Sequence, residues 1–214
     1  MDSENLILID KPKGITSFDV IRRLRKKLNI RKMGHAGTLD PLASGLLIIG
    51  IEKGTKQLKD LIGLDKEYEA EVLLGIKTNM GDMEGEILEE ESVDINSIST
   101  KLGETLNGLV GVLELPVPIY SAIKRGGEAL YKKARRGEDV EAPIKKMEIK
   151  SIDLLDTKQV DNKVVLQIRL DVSSGTYIRS IAEEIGRRLG VPATIKELRR
   201  TKVGDFDVKN AEKI

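Results

Sequence analysis

The 214-residue sequence has no cysteine, no tryptophan, a single histidine and only 3% aromatic residues. Without cysteine there is neither a disulfide nor a thiolate metal site, and one histidine cannot build a multi-histidine centre. So few aromatics argue against a long surface on which single-stranded bases stack in series. No apolar run is long enough to span a bilayer, and the N-terminus lacks a secretory leader pattern, so the expected location is cytoplasmic. A phosphate loop is also missing. Gly50-Ile51-Glu52-Lys53-Gly54-Thr55-Lys56 lacks the Gly-Lys-Ser/Thr order that a nucleotide site requires.

What remains is a globular, well-hydrated chain with 40% hydrophobic and 33% charged residues, enough for one large domain or two small ones. The net charge of +1 hides a strong segregation. Between Asp19 and Asp40 there is no acid, while Arg22, Arg23, Arg25, Lys26, Lys27, Arg31 and Lys32 crowd together. A second basic region holds Lys124, Arg125, Lys132, Lys133, Arg135 and Arg136, and a third holds Arg187, Arg188, Lys196, Arg199, Arg200 and Lys202. Asp82, Glu84, Glu86, Glu89, Glu90, Glu91 and Asp94 form an acidic block. Charges sorted in this way suit a positive face for a phosphate backbone and a negative far side; solvated helix faces are the plainer alternative.

The densest chemistry lies in Gly34-His35-Ala36-Gly37-Thr38-Leu39-Asp40-Pro41-Leu42-Ala43-Ser44-Gly45, with three glycines, the histidine and one carboxylate. Pro41 pushes Asp40 towards extended backbone, and the stretch enters the apolar run Leu46-Leu47-Ile48-Ile49. A carboxylate aimed from a stiff loop by a strand is one reading, and an Asx turn is the other.

Periodicity places the surrounding elements. Leu6 to Ile9 reads as a strand. Thr16 or Ser17 caps a helix with Val20, Ile21, Leu24 and Leu28 on its apolar stripe. Leu46 to Ile51 reads as a strand and Gly54 to Leu61 as a short helix. Tyr68, Ala70, Val72 and Leu74 alternate with acids as a half-buried strand. The acidic stretch from Gly81 is a loop or exposed hairpin, and Asp94 caps a helix carrying Ile95, Ile98, Leu102 and Leu106. Pro116 and Pro118 mark a strand edge, and Gly127 to Arg136 reads as a basic helix. Strands near Met147 to Leu155 and Val164 to Val172 meet at an Asp161-Asn162 turn. Tyr177 to Leu189 is a helix, Thr194 to Arg200 a basic helix, and Val203 to Phe206 a terminal strand. Short strands with helices set irregularly between them give an α+β fold around a mixed, mostly antiparallel sheet.

Six further blocks stand in order: Lys11-Pro12-Lys13-Gly14, Lys66-Glu67-Tyr68-Glu69-Ala70, Asp82-Met83-Glu84-Gly85, Tyr120-Ser121-Ala122, Gly175-Thr176-Tyr177-Ile178-Arg179 and Leu198-Arg199-Arg200-Thr201. Together with the Gly34–Gly45 stretch they resemble the TruB family of tRNA pseudouridine synthases across nearly the whole chain. The resemblance implies the pseudouridine synthase fold over 1–214 as a single catalytic domain, without the C-terminal RNA-binding PUA domain that most bacterial members carry. It implies isomerisation of the T-loop uridine of tRNA, uridine-55, with no cofactor, no metal, tRNA as partner and a monomer without obligate protein partners.

The same resemblance supplies residue roles. Asp40 is the catalytic aspartate, acting as a nucleophile or as the base that takes a sugar proton. A desolvated carboxylate needs a cation to stay ionised, and Arg179 corresponds to the family's active-site arginine. Tyr68 packs against the target base, with its hydroxyl assisting proton removal at carbon. His35 helps disrupt the RNA stack and hold flipped nucleotides, and Leu198 lines the base pocket. Tyr177 and Lys11 support the site, Lys11 at the pocket or a phosphate. Gly37 and Thr38 join the substrate-binding set, as do the basic residues Arg22, Arg25 and Arg199. The Thr78-Asn79-Met80-Gly81-Asp82 segment is less acidic and less threonine-rich than the family's usual version. Two other readings are a T-arm folding chaperone and the catalytic subunit of a guide-RNA complex. A two-carboxylate glycosidase lacks a second acid in a comparable motif.

Overall fold

The computed structural model describes residues 5–214 and resolves into two compact, interleaved units. The first comprises the described part of Met1–Ala70 with Arg169–Gly175 and Glu197–Ile214; the second comprises Glu71–Ile168 and Thr176–Lys196. Three strands lend a part to each: β4 (Lys66–Leu74), β11 (Lys163–Val172) and β12 (Ala193–Val203).

In the first unit, β1 (Leu6–Lys11) and β3 (Ser44–Ile51) pair antiparallel, Leu6 opposite Gly50 and Lys11 opposite Gly45. β2 (Met33–Ala36) pairs antiparallel with β3, β14 (Glu212–Lys213) pairs parallel with β1, and β13 (Phe206–Asp207) closes a hairpin with β12. β3 runs parallel to β12, with Ser44 opposite Arg199 and Gly45 opposite Arg200. The strand order here is β14-β1-β3-β12-β4-β11. α1 (Ser17–Leu28) begins in a capping box, with Thr16 and Asp19 satisfying each other's backbone N–H groups. It buries Val20, Ile21 and Leu24, but Leu28 is exposed at the fraying end before Asn29 turns left-handed. The expected Gly54 to Leu61 helix is a 3-10 turn over Glu52–Lys56 followed by α2 (Leu58–Ile62). Ala36, Leu46, Ile48, Leu61 and Val203 form the core of this unit.

In the second unit the order is β12-β4-β11-β10-β7, with β10 (Ile144–Val160) antiparallel to β7 (Gly111–Pro116) at the sheet edge. A strand that ends in a proline, Pro116, is at home there, because an edge needs fewer N–H donors. β5 (Ile76–Thr78) and β6 (Ile87–Glu90) form the exposed acidic hairpin. α3 (Ile95–Asn107) starts at Asp94, whose side chain accepts the Asn96 N–H. Asp161 adopts a positive φ of 50° in the β10–β11 turn, as a two-residue hairpin demands. The basic helix is shorter than expected. α4 covers only Leu130–Arg135, because Gly126 and Gly127, both at positive φ, spend the preceding residues on a hairpin between β8 (Lys124–Arg125) and β9 (Glu128–Ala129). α5 (Ile178–Leu189) has Tyr177 as its N-cap.

Two expectations are overturned. Val203 to Phe206 is not one strand but a hairpin corner, with Gly204 at a positive φ of 51° between the end of β12 and β13. Thr194 to Arg200 is not a helix but the interior of β12, flanked in the sheet by β3 and β4. Leu198 and Arg200 are buried while Glu197 is exposed and Arg199 half-buried, a period of two. Sheet pairing on both edges outweighs the helix-favouring local composition.

Candidate active site

The loop between β2 and β3 is anchored at nearly every residue. Gly37 turns the chain at φ 80°, and its carbonyl accepts from Arg200 Nη2 at 3.1 Å. Arg200 Nε donates to the Leu46 carbonyl at 2.8 Å, so one guanidinium, 1% exposed, spans both sides of the loop. The Ser17 hydroxyl donates to the Leu39 carbonyl at 3.0 Å and accepts the Leu39 N–H at 2.8 Å. Gly14 N–H donates to the Pro41 carbonyl at 2.8 Å. Ala43 N–H donates to the Asp40 carbonyl at 3.1 Å, which closes a β-turn with Pro41 in the position that suits its fixed φ. That turn uses the main-chain carbonyl of Asp40, not its carboxylate. Leu39, Leu42 and Ala43 are buried on either side, and Asp40 is half-buried between them. Rigid backbone on both sides aims this carboxylate with little conformational freedom.

Gly45 is required at the end of the loop. A Cβ there would lie 2.2 Å from the Arg200 carbonyl oxygen, at the β3–β12 crossing. His35 stands on β2. Burial, then the nearby Arg200 charge, holds its imidazole below the usual value, against a backbone hydrogen bond with Gly37. It therefore carries little charge at pH 7. Tyr68, 9% exposed, sits on β4, and Leu198, equally buried, sits on the adjacent β12. Thr38 is exposed. Lys11 is fully buried, and its ammonium donates to the Pro12 and Ile15 carbonyls at 3.0 and 2.7 Å, which fits support of the site more than contact with a phosphate.

In the second unit Arg179, 5% exposed, donates from Nη1 to the Met80 carbonyl at 2.7 Å and from Nη2 to the Tyr120 carbonyl at 3.0 Å. Asp82 Oδ2 lies 3.9 Å from Nη1. The expectation that Asp82 belongs to an exposed acidic far side is wrong: it is 2% exposed, and its Oδ1 accepts the Glu84 N–H. Its segment lies along β12, with Met83 N–H on the Ile195 carbonyl and Ile195 N–H on the Gly81 carbonyl. Tyr177 has the Lys145 ammonium 5.8 Å from its ring centre, and its N–H faces the Met147 sulfur.

The three basic regions differ. Every cation of the third is engaged: Arg187 and Arg188 with Glu184, Lys196 with Glu71, Arg199 bidentately with Asp10, Lys202 with Glu67, and Arg200 within the loop anchor. In the second, Arg125 pairs with Glu141 and Arg136 with Glu128 and Glu138. In the first, Arg22 pairs with Asp19 and Arg25 reaches the Met33 carbonyl, but Arg23, Lys26, Lys27, Arg31 and Lys32 are exposed without an ion pair among the described residues. Arg200 and Ser17, the two side chains that fix the Asp40 loop, escape sequence reasoning. The first was counted as a surface cation and the second as a helix cap. The only available signal was that Arg200 falls inside a family block.

Residues 25–178 match the model of the TruB family pseudouridylate synthase N-terminal domain, and 179–214 match that of the tRNA pseudouridylate synthase B C-terminal domain. The chain is 40% identical to tRNA pseudouridine synthase B of Leifsonia xyli, over 100% of this chain and 72% of that protein. It is 43% identical to tRNA pseudouridine synthase B of Fusobacterium nucleatum, over 96% of this chain and 70% of that protein. A solved Cbf5-Nop10-Gar1 complex contains a chain 30% identical, with TM-score 0.72, covering 98% of this chain and 52% of that one. An H/ACA RNP bound to a substrate RNA containing 2'-deoxyuridine gives 28% identity and TM-score 0.69 over 98% of this chain, which spans half of that one.

Proposed function

We propose, from the premise that this chain belongs to the TruB family of tRNA pseudouridine synthases, that it converts the T-loop uridine of tRNA, uridine-55, to pseudouridine in the cytoplasm. The observation that carries this reading is the anchored Asp40 loop, whose sequence is the family's signature and whose backbone is tied at Gly37, Leu39, Pro41 and Ala43.

Pseudouridine formation breaks the bond from sugar to uracil nitrogen, turns the base and rejoins it through carbon; the proton lost from that carbon is balanced by one gained on the freed nitrogen. No group donor and no redox change is involved. The uridine must first leave the RNA stack. Asp40 then works at the sugar and base from a backbone that has no room to relax, so the orientation cost is met during folding. Tyr68 and Leu198, buried on neighbouring strands, supply an apolar wall for the pyrimidine. Neutral His35 at the loop's entry meets the displaced nucleotides. We also propose that Arg179 serves the same chemistry and that 1–214 is one catalytic domain.

Identity of 40–43% to tRNA pseudouridine synthase B of two bacteria, against 28–30% to chains of the H/ACA RNP and the Cbf5-Nop10-Gar1 complex, supports the tRNA reading over that of a subunit of such a complex. The test is incubation with unmodified tRNA followed by mapping of carbon-linked uridines. One such uridine in the T loop is expected; none, or one elsewhere only, contradicts the proposal.

A further inference from the structure

The chain contains four tyrosines, two phenylalanines and no tryptophan. Five of these six aromatics are buried or half-buried, and Phe18 alone is exposed, at 54%. A ring that size left in water forfeits a substantial burial energy. Its place is specific. Phe18 lies in the first turn of α1, next to Ser17, whose hydroxyl bonds both main-chain polar groups of Leu39, the residue before Asp40. The Arg25 guanidinium stands over the ring, 5.7 Å from its centre. Exposed Arg22, Arg23 and Lys26 share the same helix. A flat apolar ring set among cations, one residue from the anchor of the Asp40 loop, matches a ligand that is flat, apolar-faced and attached to negative charge. A nucleobase on its phosphate backbone has those properties.

We propose that Phe18 is the stacking platform for a nucleobase flanking the target uridine, with Arg25 holding the ring in place. The proposal rests on the synthase reading. Withdrawing one base from a stack leaves its neighbours without a partner, and a ring on the helix that anchors the Asp40 loop supplies a replacement face. Stacking is nearly indifferent to salt, whereas the cations around it are not.

The test uses the full-length protein and an unmodified T-arm hairpin. Phe18→Leu keeps an apolar side chain but no ring, and should weaken hairpin binding about 5- to 150-fold, the range for loss of one stacked base, with an unchanged salt slope. Phe18→Trp should bind as tightly as the native protein. Because it would carry the sole tryptophan of the chain, its emission should be quenched in step with hairpin binding. The surface position spares the core, and the Thr16–Asp19 capping box stays intact in both variants. Binding by Phe18→Leu within about twofold of the native protein, or tryptophan emission that ignores the RNA, overturns the platform while native turnover leaves the synthase reading standing. If the native protein neither binds nor isomerises the hairpin, the synthase reading falls and takes the platform with it.

Discussion

Helix α1 with its following turn and strand β12 carry cations at similar density, and they do opposite things with them. On β12, Lys196, Arg199 and Lys202 each face a carboxylate of their own unit, and Arg200 is drawn inside to hold the Gly37 and Leu46 carbonyls. Past the capping residue Asp19, Arg23, Lys26, Lys27, Arg31 and Lys32 pair with no acid among the described residues, so they keep their charge for solvent or a ligand. The lesson is that a basic run becomes an anion-binding face only where the fold withholds counter-charges. Density along the chain does not decide it.

Arg200→Ala should break the comparison most severely. It would strand two loop carbonyls and open a void beside Gly37, costing roughly 3 kcal/mol or more in urea unfolding, together with most of the activity. A variant as stable as the native protein but with a lower salt slope would instead make β12 a phosphate-binding element. Next in size, reversing Arg23, Lys26 and Lys27 to Glu should weaken hairpin binding at least tenfold and reduce the dependence of log K on log salt by about 2–3, with stability little changed. An unaltered slope would make them ordinary solvated charges. The smallest effect concerns His35. Its folded pKa lies below the ordinary 6.5, so as pH falls below that value the unfolded chain takes up a proton that the folded chain resists. Stability should therefore fall as pH drops from about 6.5 towards the lower folded pKa, and His35→Gln should flatten that slope. Urea midpoints at pH 7.5 and 5.5 would measure it, and equal slopes in both proteins would remove the imidazole from the account.

Elements with one dominant period are legible in the sequence alone. β4 shows its alternation, α3 and α5 their apolar stripes, and α1 its capping signal. β12 is not, because four cations interrupt its alternation and its pairing with β3 and β4 comes from distant parts of the chain. The motifs pointed to Asp40, Tyr68 and Leu198 in the first unit and to Arg179 in the second, but what steadies each was hidden. By sequence Ser17 is one of two candidate helix caps, Arg200 a phosphate contact, and Asp82 one acid in an exposed run. Each became buried through a bond to a residue far along the chain: Leu39 for Ser17, Leu46 for Arg200, Ile195 for the Asp82 segment. Local composition carries no signal for such partners.

The claim on which all this turns is that a single carboxylate, held by a fixed backbone, performs the isomerisation. Asp40→Asn preserves size and the main-chain turn while removing the charge, so the decisive measurement is T-arm conversion beside hairpin affinity for this one variant. The account predicts no detectable pseudouridine at near-native affinity, and conversion at the native rate would contradict it.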